Sequence, residues 1–267
     1  MLHDGTDSVS VIERLWRHPV KSMWGEQPDH LTFVEGGVLG DRVRAFFAVE
    51  SGDRISAKQH GALLNCHARY LREPTSGDPV PPIEVEFGDG AVIRDDDAAL
   101  TQRVSELLGF EVRLATEEPG VLVDLAPVHL AATGTLRWLA DRHPDGDWDA
   151  RRFRPNLLVD AEPDAEDGWL GCDLHIGAEV LLHVVMPTPR CIVTTRAQPG
   201  LARDQKILRT ITRDRQRDVP VRGDSPSVGA YADVVQPGVV RIGDAVRVEH
   251  VPPRRGAIAA ALDARTI

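Results

Sequence analysis

Lysine is almost missing from this chain. Of 31 basic residues in 267, only Lys21, Lys58 and Lys206 are lysines. Cysteine is as sparse: Cys66, Cys172 and Cys191 form no C-x-x-C pair and no close grouping with histidine. That excludes a disulfide framework, a zinc ribbon and a four-cysteine iron–sulfur cluster. Positive charge is in deficit, with 41 acidic residues giving a formal net charge of −10, so non-specific nucleic-acid binding is a poor fit. Long apolar runs are lacking too. The greasiest, residues 180–186, is far too short to cross a bilayer, and the first eight residues carry two aspartates and no apolar stretch of a secretory signal. The expectation is a cytoplasmic protein with neither nucleic acid nor membrane as a partner.

What is present suits a globular chain, at 42% hydrophobic and 27% charged, long enough for one large domain or two small ones. Most of the pattern reads as strand. Residues 83–87 alternate, 88–90 turn, and 91–94 return, which is a hairpin signal. Residues 42–49 and 110–114 read as strands, and 239–248 as two strands joined at Gly243 and Asp244. Helices are fewer. Leu100, Val104, Leu107 and Leu108 recur at helical spacing before Gly109; a second helix follows Thr133 and ends before Pro144; a third covers 203–213. Many short strands with few helices predict a mainly β, α+β protein built from barrels or sandwiches. A boundary near 117–120 divides the chain into 8–117, 118–250 and a tail, 251–267. Residues 145–149 and 222–227 read as turn-rich loops.

Five constellations are candidates for chemistry. In Met186-Pro-Thr-Pro-Arg-Cys191 a strand-like run meets two prolines, which should stop the ladder and put Cys191 on a loop at a sheet edge. The Arg190 guanidinium favours a thiolate, the form that attacks electrophiles or binds a soft metal. A lone cysteine is otherwise a small buried hydrophobe, the reading adopted for Cys66 and Cys172. Arg151-Arg-Phe-Arg-Pro-Asn156 places three arginines in four residues, either an anion site with Asn156 adding directed hydrogen bonds or a solvated turn facing the acidic run 162–167. His18-Pro-Val-Lys-Ser22 sets a rare lysine beside a hydroxyl, as a phosphate contact or as ordinary surface. Gly36-Gly-Val-Leu-Gly-Asp-Arg42 delivers Asp41 and Arg42 into a strand, without the spacing of a P-loop or a dinucleotide fingerprint. Last, Asp124 sits inside an apolar stretch, where a carboxylate must be paired, capping or working; His129 reads as a packed strand residue. No Ser-His-Asp order, zincin motif or carboxylate pair supports a hydrolase.

In this order and spacing the five resemble the MOSC family, the molybdenum-cofactor sulfurase C-terminal domain fold, with its N-terminal β-barrel partner. His18-Pro-Val-Lys-Ser22 is similar to the family's Y-P-V-K-S element and Gly40-Asp-Arg42 to its G-x-D-R turn. Asp124 and Pro127 resemble its D-x-x-P segment. Arg152-Phe-Arg-Pro-Asn156, Ala165-Glu-Asp-Gly-Trp169 and Arg190-Cys-Ile-Val-Thr-Thr195 match its strongest motifs, and Val228-Gly-Ala-Tyr231 its F-G-x-Y. The likeness runs from about residue 9 to residue 248. Three positions depart from it: His18 replaces tyrosine, Leu125 and Ala126 replace hydroxyl-bearing residues, and Pro189 stands where serine can precede the R-C pair.

The resemblance implies a MOSC N-terminal β-barrel-like domain over 8–117 and a MOSC β-barrel domain over 118–250. It implies molybdenum–molybdopterin as cofactor, with Cys191 as catalytic residue and metal ligand. Lys21, Ser22, Arg42, Arg154, Asn156, Arg190 and Tyr231 would hold the pterin and its phosphate. Asp124 would lie near the metal, to position or protonate substrate. The implied activity is reduction of N-hydroxylated compounds (amidoximes, hydroxylamines). With neither cluster cysteines nor a flavin fingerprint in the sequence, electrons are expected from a separate donor protein of ferredoxin, flavoprotein or cytochrome type. A sulfur or cofactor carrier with a persulfide on Cys191, and a binding module without turnover, are the competing readings; pyridoxal phosphate is not expected.

Overall fold

The computed structural model describes residues 10–220 and 222–252. The first eight residues and most of the tail read at 251–267 therefore lie outside the described residues.

After β1 (Ser10–Leu15), the N-terminal half contributes β2 (His30–Val34), β3 (Gly37–Val38), β4 (Arg44–Ala48), β5 (His67–Tyr70), β6 (Ile83–Glu86) and β7 (Val92–Arg94). Helix α1 (Ala99–Leu108) and β8 (Val112–Thr116) complete it. The second half runs β9 (Val128–Ala132), α2 (Thr133–Arg142), β10 (Leu157–Asp160), α3 (Ala165–Gly168), β11 (Asp173–Ile176) and β12 (Val180–Pro189). Then come α4 (Gln205–Asp214), β13 (Gln216–Val219), β14 (Gly223–Gln236), β15 (Gly238–Arg241) and β16 (Ala245–Glu249). The protein is mainly β with four α-helices among the described residues. The hairpin at 83–94 and the three helices fall where the apolar periodicity places them. Gly109 takes the left-handed C-cap of α1 at φ 81°, a geometry that needs no Cβ.

Seven strands close on themselves in the order β12-β11-β16-β1-β10-β9-β14, and β14 returns to β12. Closure removes the exposed edges an open sheet would leave. Alternate side chains fill the interior, among them Ile12, Leu130, Leu157, Leu174, Leu182 and Ala232. Only β9 and β10 run parallel, joined through α2. Gly229, at φ +87°, lets β14 pass close to β9, because a Cβ there would stand 2.4 Å from His129 Nε2.

A second core, including Val20, Met23, Phe46, Leu63, Val85 and Val104, lies under three-stranded β5-β6-β7, the β4–β8 pair and α1. The boundary near 117–120 does not separate the sheets. β1 belongs to the barrel, between β10 and β16, while β15 pairs with β2.

Three local expectations are corrected. β12 does not stop at its prolines: it runs through Pro187 and Pro189 beside β14. The register shifts between Val184 and Met186 and between Pro187 and Pro189, irregular positions that tolerate a missing N–H. Residues 223–227, expected in a turn-rich loop, begin β14, because pairing with β13 overrides the weak strand preference of Gly, Asp, Ser and Pro. The strands flanking Gly243 and Asp244 form no hairpin; β15 joins β2, whereas β16 enters the barrel.

Arg152 straps the loops at one end of the barrel. Fully buried, it donates to the carbonyls of Asp147 and Ala202 at 2.7 Å each, Arg196 at 3.2 Å and Thr194 at 3.4 Å. A lysine has no planar fork to reach so many acceptors. Arg152→Lys should therefore cost about 1.5–3 kcal/mol of stability, read as a lower denaturation midpoint; an unchanged midpoint would contradict the strap.

Candidate functional site

The loop at 18–22, the turn at 40–42, the approaches to β9 and β10, the exit of β12 and the middle of β14 all open onto one cavity. It encloses about 940 Å³, its open mouth included. All nine candidate residues line it: Lys21, Ser22, Arg42, Asp124, Arg154, Asn156, Arg190, Cys191 and Tyr231. In a chain of net charge −10, this lining carries six cationic side chains and one carboxylate.

The pocket wall holds strained backbone. Ser22, Arg42 and Arg154 have φ of 72°, 50° and 55°, three of the four non-glycine residues with positive φ among the described residues. Such conformations cost on the order of 1–3 kcal/mol each and persist only when their surroundings fix them. Here the His18 N–H donates to Asp41 Oδ1 at 2.7 Å, and the Arg42 N–H donates to the His18 carbonyl at 2.7 Å. Ser22 Oγ accepts from the Ala57 N–H at 3.0 Å. Asn156 is fully buried and its amide is occupied by protein: Nδ2 donates to the Trp16 carbonyl at 3.3 Å, while Oδ1 accepts from the His129 N–H at 3.1 Å. It thus lines the cavity and holds the wall together.

The electrostatics follow from burial. Lys21 Nζ donates to the Leu122 carbonyl at 2.8 Å and to Asp124 Oδ1 at 2.6 Å. Burial pulls its pKa down to about 8, against the restoring pull of Asp124. For Asp124, desolvation at the wall opposes ionisation, but Lys21 and then Arg42 overcome it and hold the carboxyl well below its usual range. The aspartate inside an apolar stretch is thus a paired one.

Arg42 is bonded to Asp41, whereas Arg154 and Arg190 have no carboxylate partner among the described residues. Arg154 Nη1 donates to the Met23 carbonyl at 2.7 Å, and Arg190 Nη2 to the Phe153 carbonyl at 2.8 Å. Burial, then the neighbouring Arg42, lowers Arg154 to about 9; burial also lowers Arg190, whose buried Nε has no partner. An anion would relieve both. Burial raises Tyr231 to about 12 and, with Arg190 adding to it, keeps the buried His129 ring well below its usual value, so both are neutral.

Cys191 is partly exposed on the wall, where its carbonyl accepts from Thr194 at the start of the single turn Ile192–Thr195. Cys66 and Cys172 are buried elsewhere, and burial pushes the Cys66 thiol up to about 11. No cluster of three histidine, cysteine, aspartate or glutamate side chains among the described residues could hold a metal ion. A metal in this pocket would rest on one thiol and on ligands it brought with it.

The sequence profile of the MOSC domain matches residues 118–247. The chain carries a MOSC domain. It is 26% identical to mitochondrial amidoxime-reducing component 1 of Homo sapiens, over 89% of this chain and 82% of that protein. The Mus musculus protein of the same name is 25% identical over the same shares. Among solved structures, the YuaD protein of Bacillus subtilis superposes with a TM-score of 0.47 at 14% identity, covering 91% of this chain and 97% of that one.

Not every expected arginine reaches the pocket, whose lining comes from both the matched range 118–247 and residues 21–58. Arg151 turns back to Asp149 at 2.7 Å and Arg152 is the buried strap. The acidic run is met by Arg215 and Arg217 through Asp164 and Asp167, not by the cluster at 151–154. Conversely, Lys58, His129, Phe153 and Arg222 line the cavity without having been singled out for it. The rarity of lysine was a signal for Lys58; Arg222, in a polar turn, offered none.

With three lysines in the chain, selective ¹³C labelling resolves each by NMR. In cofactor-free protein one lysine should titrate near pH 8, protonated below and neutral above, and Asp124→Asn should move that midpoint lower by removing its anionic partner. Three lysines titrating together near their ordinary value would overturn this account of Lys21.

Proposed function

We propose that the protein is a molybdenum-cofactor-dependent oxidoreductase that reduces N-hydroxylated compounds such as amidoximes and hydroxylamines, with Cys191 as its metal ligand. One observation carries the reading: a partly exposed thiol shares a pocket with two half-buried arginines, Arg154 and Arg190, that lack carboxylate partners among the described residues. The residues fit the group. A phosphate monoester brings nearly two negative charges, which suits Arg154 and Arg190. A single soft thiolate suits a metal whose other ligands arrive with the cofactor. When bound, the cofactor supplies the two-electron redox chemistry.

The chain's own residues bind and orient. Arg154 and Arg190 take the anionic end of the cofactor, Arg42 and Lys21 extend the positive wall, and Asn156 fixes the backbone that carries them. Ser22 is proposed to contact the cofactor from the strained turn beside Lys21. Asp124, being ionised, accepts a hydrogen bond from the substrate and so positions it; an ionised carboxylate is not a proton donor. Tyr231 keeps its phenolic proton at neutral pH and is a donor within the same cavity.

The name of the human relative denotes amidoxime reduction, which supports the substrate class. We also propose a separate electron-donor protein, of ferredoxin, flavoprotein or cytochrome type, and a cytoplasmic location. Among the described residues no helix is long and apolar enough to cross a membrane.

Metal and pterin analysis after expression in a host that makes the cofactor tests this. Wild-type protein should hold stoichiometric molybdenum, lose it in Cys191→Ala, and reduce benzamidoxime with an artificial donor. Arg154→Ala should weaken cofactor retention by roughly ten- to a hundredfold. Molybdenum-free wild type would sink the proposal, and a persulfide on Cys191 in its place would favour the carrier.

A further inference from the structure

The pocket holds more positive charge than a bound phosphate accounts for. Setting Asp41 against Arg42 and Asp124 against Lys21 leaves Arg154, Arg190, Lys58 and Arg222. The first two are half-buried and donate to backbone carbonyls. Lys58 and Arg222 are exposed, and neither side chain has a hydrogen-bonded acceptor among the described residues, although Lys58 lies near enough to Asp124 to help keep that carboxyl ionised.

Their backbones are nonetheless fixed. The Lys58 N–H donates to Ser56 Oγ at 3.2 Å, and the Lys58 carbonyl accepts from Arg196 Nη2 at 2.6 Å, which ties this turn to the segment just after Cys191. The Arg222 N–H donates to the Val219 carbonyl at 2.9 Å, at the tip of the β13–β14 hairpin. Two turns far apart in sequence thus each bring a free cation to the same cavity as Cys191.

We infer that Lys58 and Arg222 select a substrate bearing its own anionic group, a carboxylate or a phosphate, apart from the nitrogen–oxygen bond to be reduced. This rests on the reading of the pocket as a reductase site. On that reading Arg154 and Arg190 take the cofactor's phosphate, and the exposed cations are left for the second anion. A neutral N-hydroxylated compound would leave both idle. An exposed charge contact is weak singly and screened by salt, so the two together give about a tenfold preference at low ionic strength.

The test compares benzamidoxime with 4-carboxybenzamidoxime and its 4-phosphono analogue, by calorimetric binding and by turnover, on molybdenum-loaded protein. Wild type should bind the anionic compounds about tenfold more tightly than benzamidoxime, with the gap closing in high salt. A phosphonate preference points to a phosphate-bearing substrate, and a carboxylate preference to a carboxylate. In Lys58→Ala/Arg222→Ala the preference should fall to near one, and in Lys58→Glu/Arg222→Glu it should reverse. Equal binding of all three by wild type that reduces benzamidoxime would overturn this inference alone. So would a preference that survives the double variant, or a double variant that loses its molybdenum, since the two cations would then hold the cofactor. Wild type that carries molybdenum but binds and reduces none of the compounds would remove the reductase reading and this inference with it.

Discussion

The ladder between β12 and β14 is the interaction on which the rest depends. Its partners run from Leu181 against Gln236 to Pro189 against Ser227, and without it the seven strands are an open sheet. The same ladder sets the chemistry. Cys191 follows β12 by two residues, and Tyr231 lies on β14 opposite Met186. Closing the barrel and assembling the pocket's far wall are therefore one event, and the register shifts near Pro187 and Pro189 decide how Arg190 and Cys191 leave the sheet.

Against that rigid wall the other components are held under tension. Arg154 and Arg190, with no carboxylate partner among the described residues, rest on backbone carbonyls, and three non-glycine residues keep left-handed backbone. Neither feature helps the fold. Both are tolerated because hydrogen bonds at His18, Asp41 and Asn156 lock the surrounding turns, and the proposed anionic cofactor would offset the crowding of positive charge. Groups poised in this way bind a ligand without first having to be ordered.

Much of this was legible in the sequence. Alternation and helical spacing located the hairpin at 83–94 and the three longer helices, because those elements bury one face with a regular period. The cavity residues were legible through motif order: all nine candidates converge. What stayed hidden was decided at a distance. Nothing local in Gly223-Asp-Ser-Pro226 announces a strand; β13 supplies the pairing. Nothing in 151–156 reveals that Arg152 turns inward while Arg154 reaches the cavity, since that depends on carbonyls some 50 residues away. Nor does anything local reveal what Asn156 bonds to within the protein, because its partners at Trp16 and His129 come from other parts of the chain.

The placement of β1 bears on how the molecule is made. The first described strand lies between β10 and β16, so its two neighbours are synthesised after most of the chain. As the polypeptide leaves the ribosome, β1 waits without partners until residues 157–160 appear, and the ring cannot shut until 245–249 have followed. The cavity is lined by residues from Lys21 to Tyr231, so its wall too is whole only once β14 has been made.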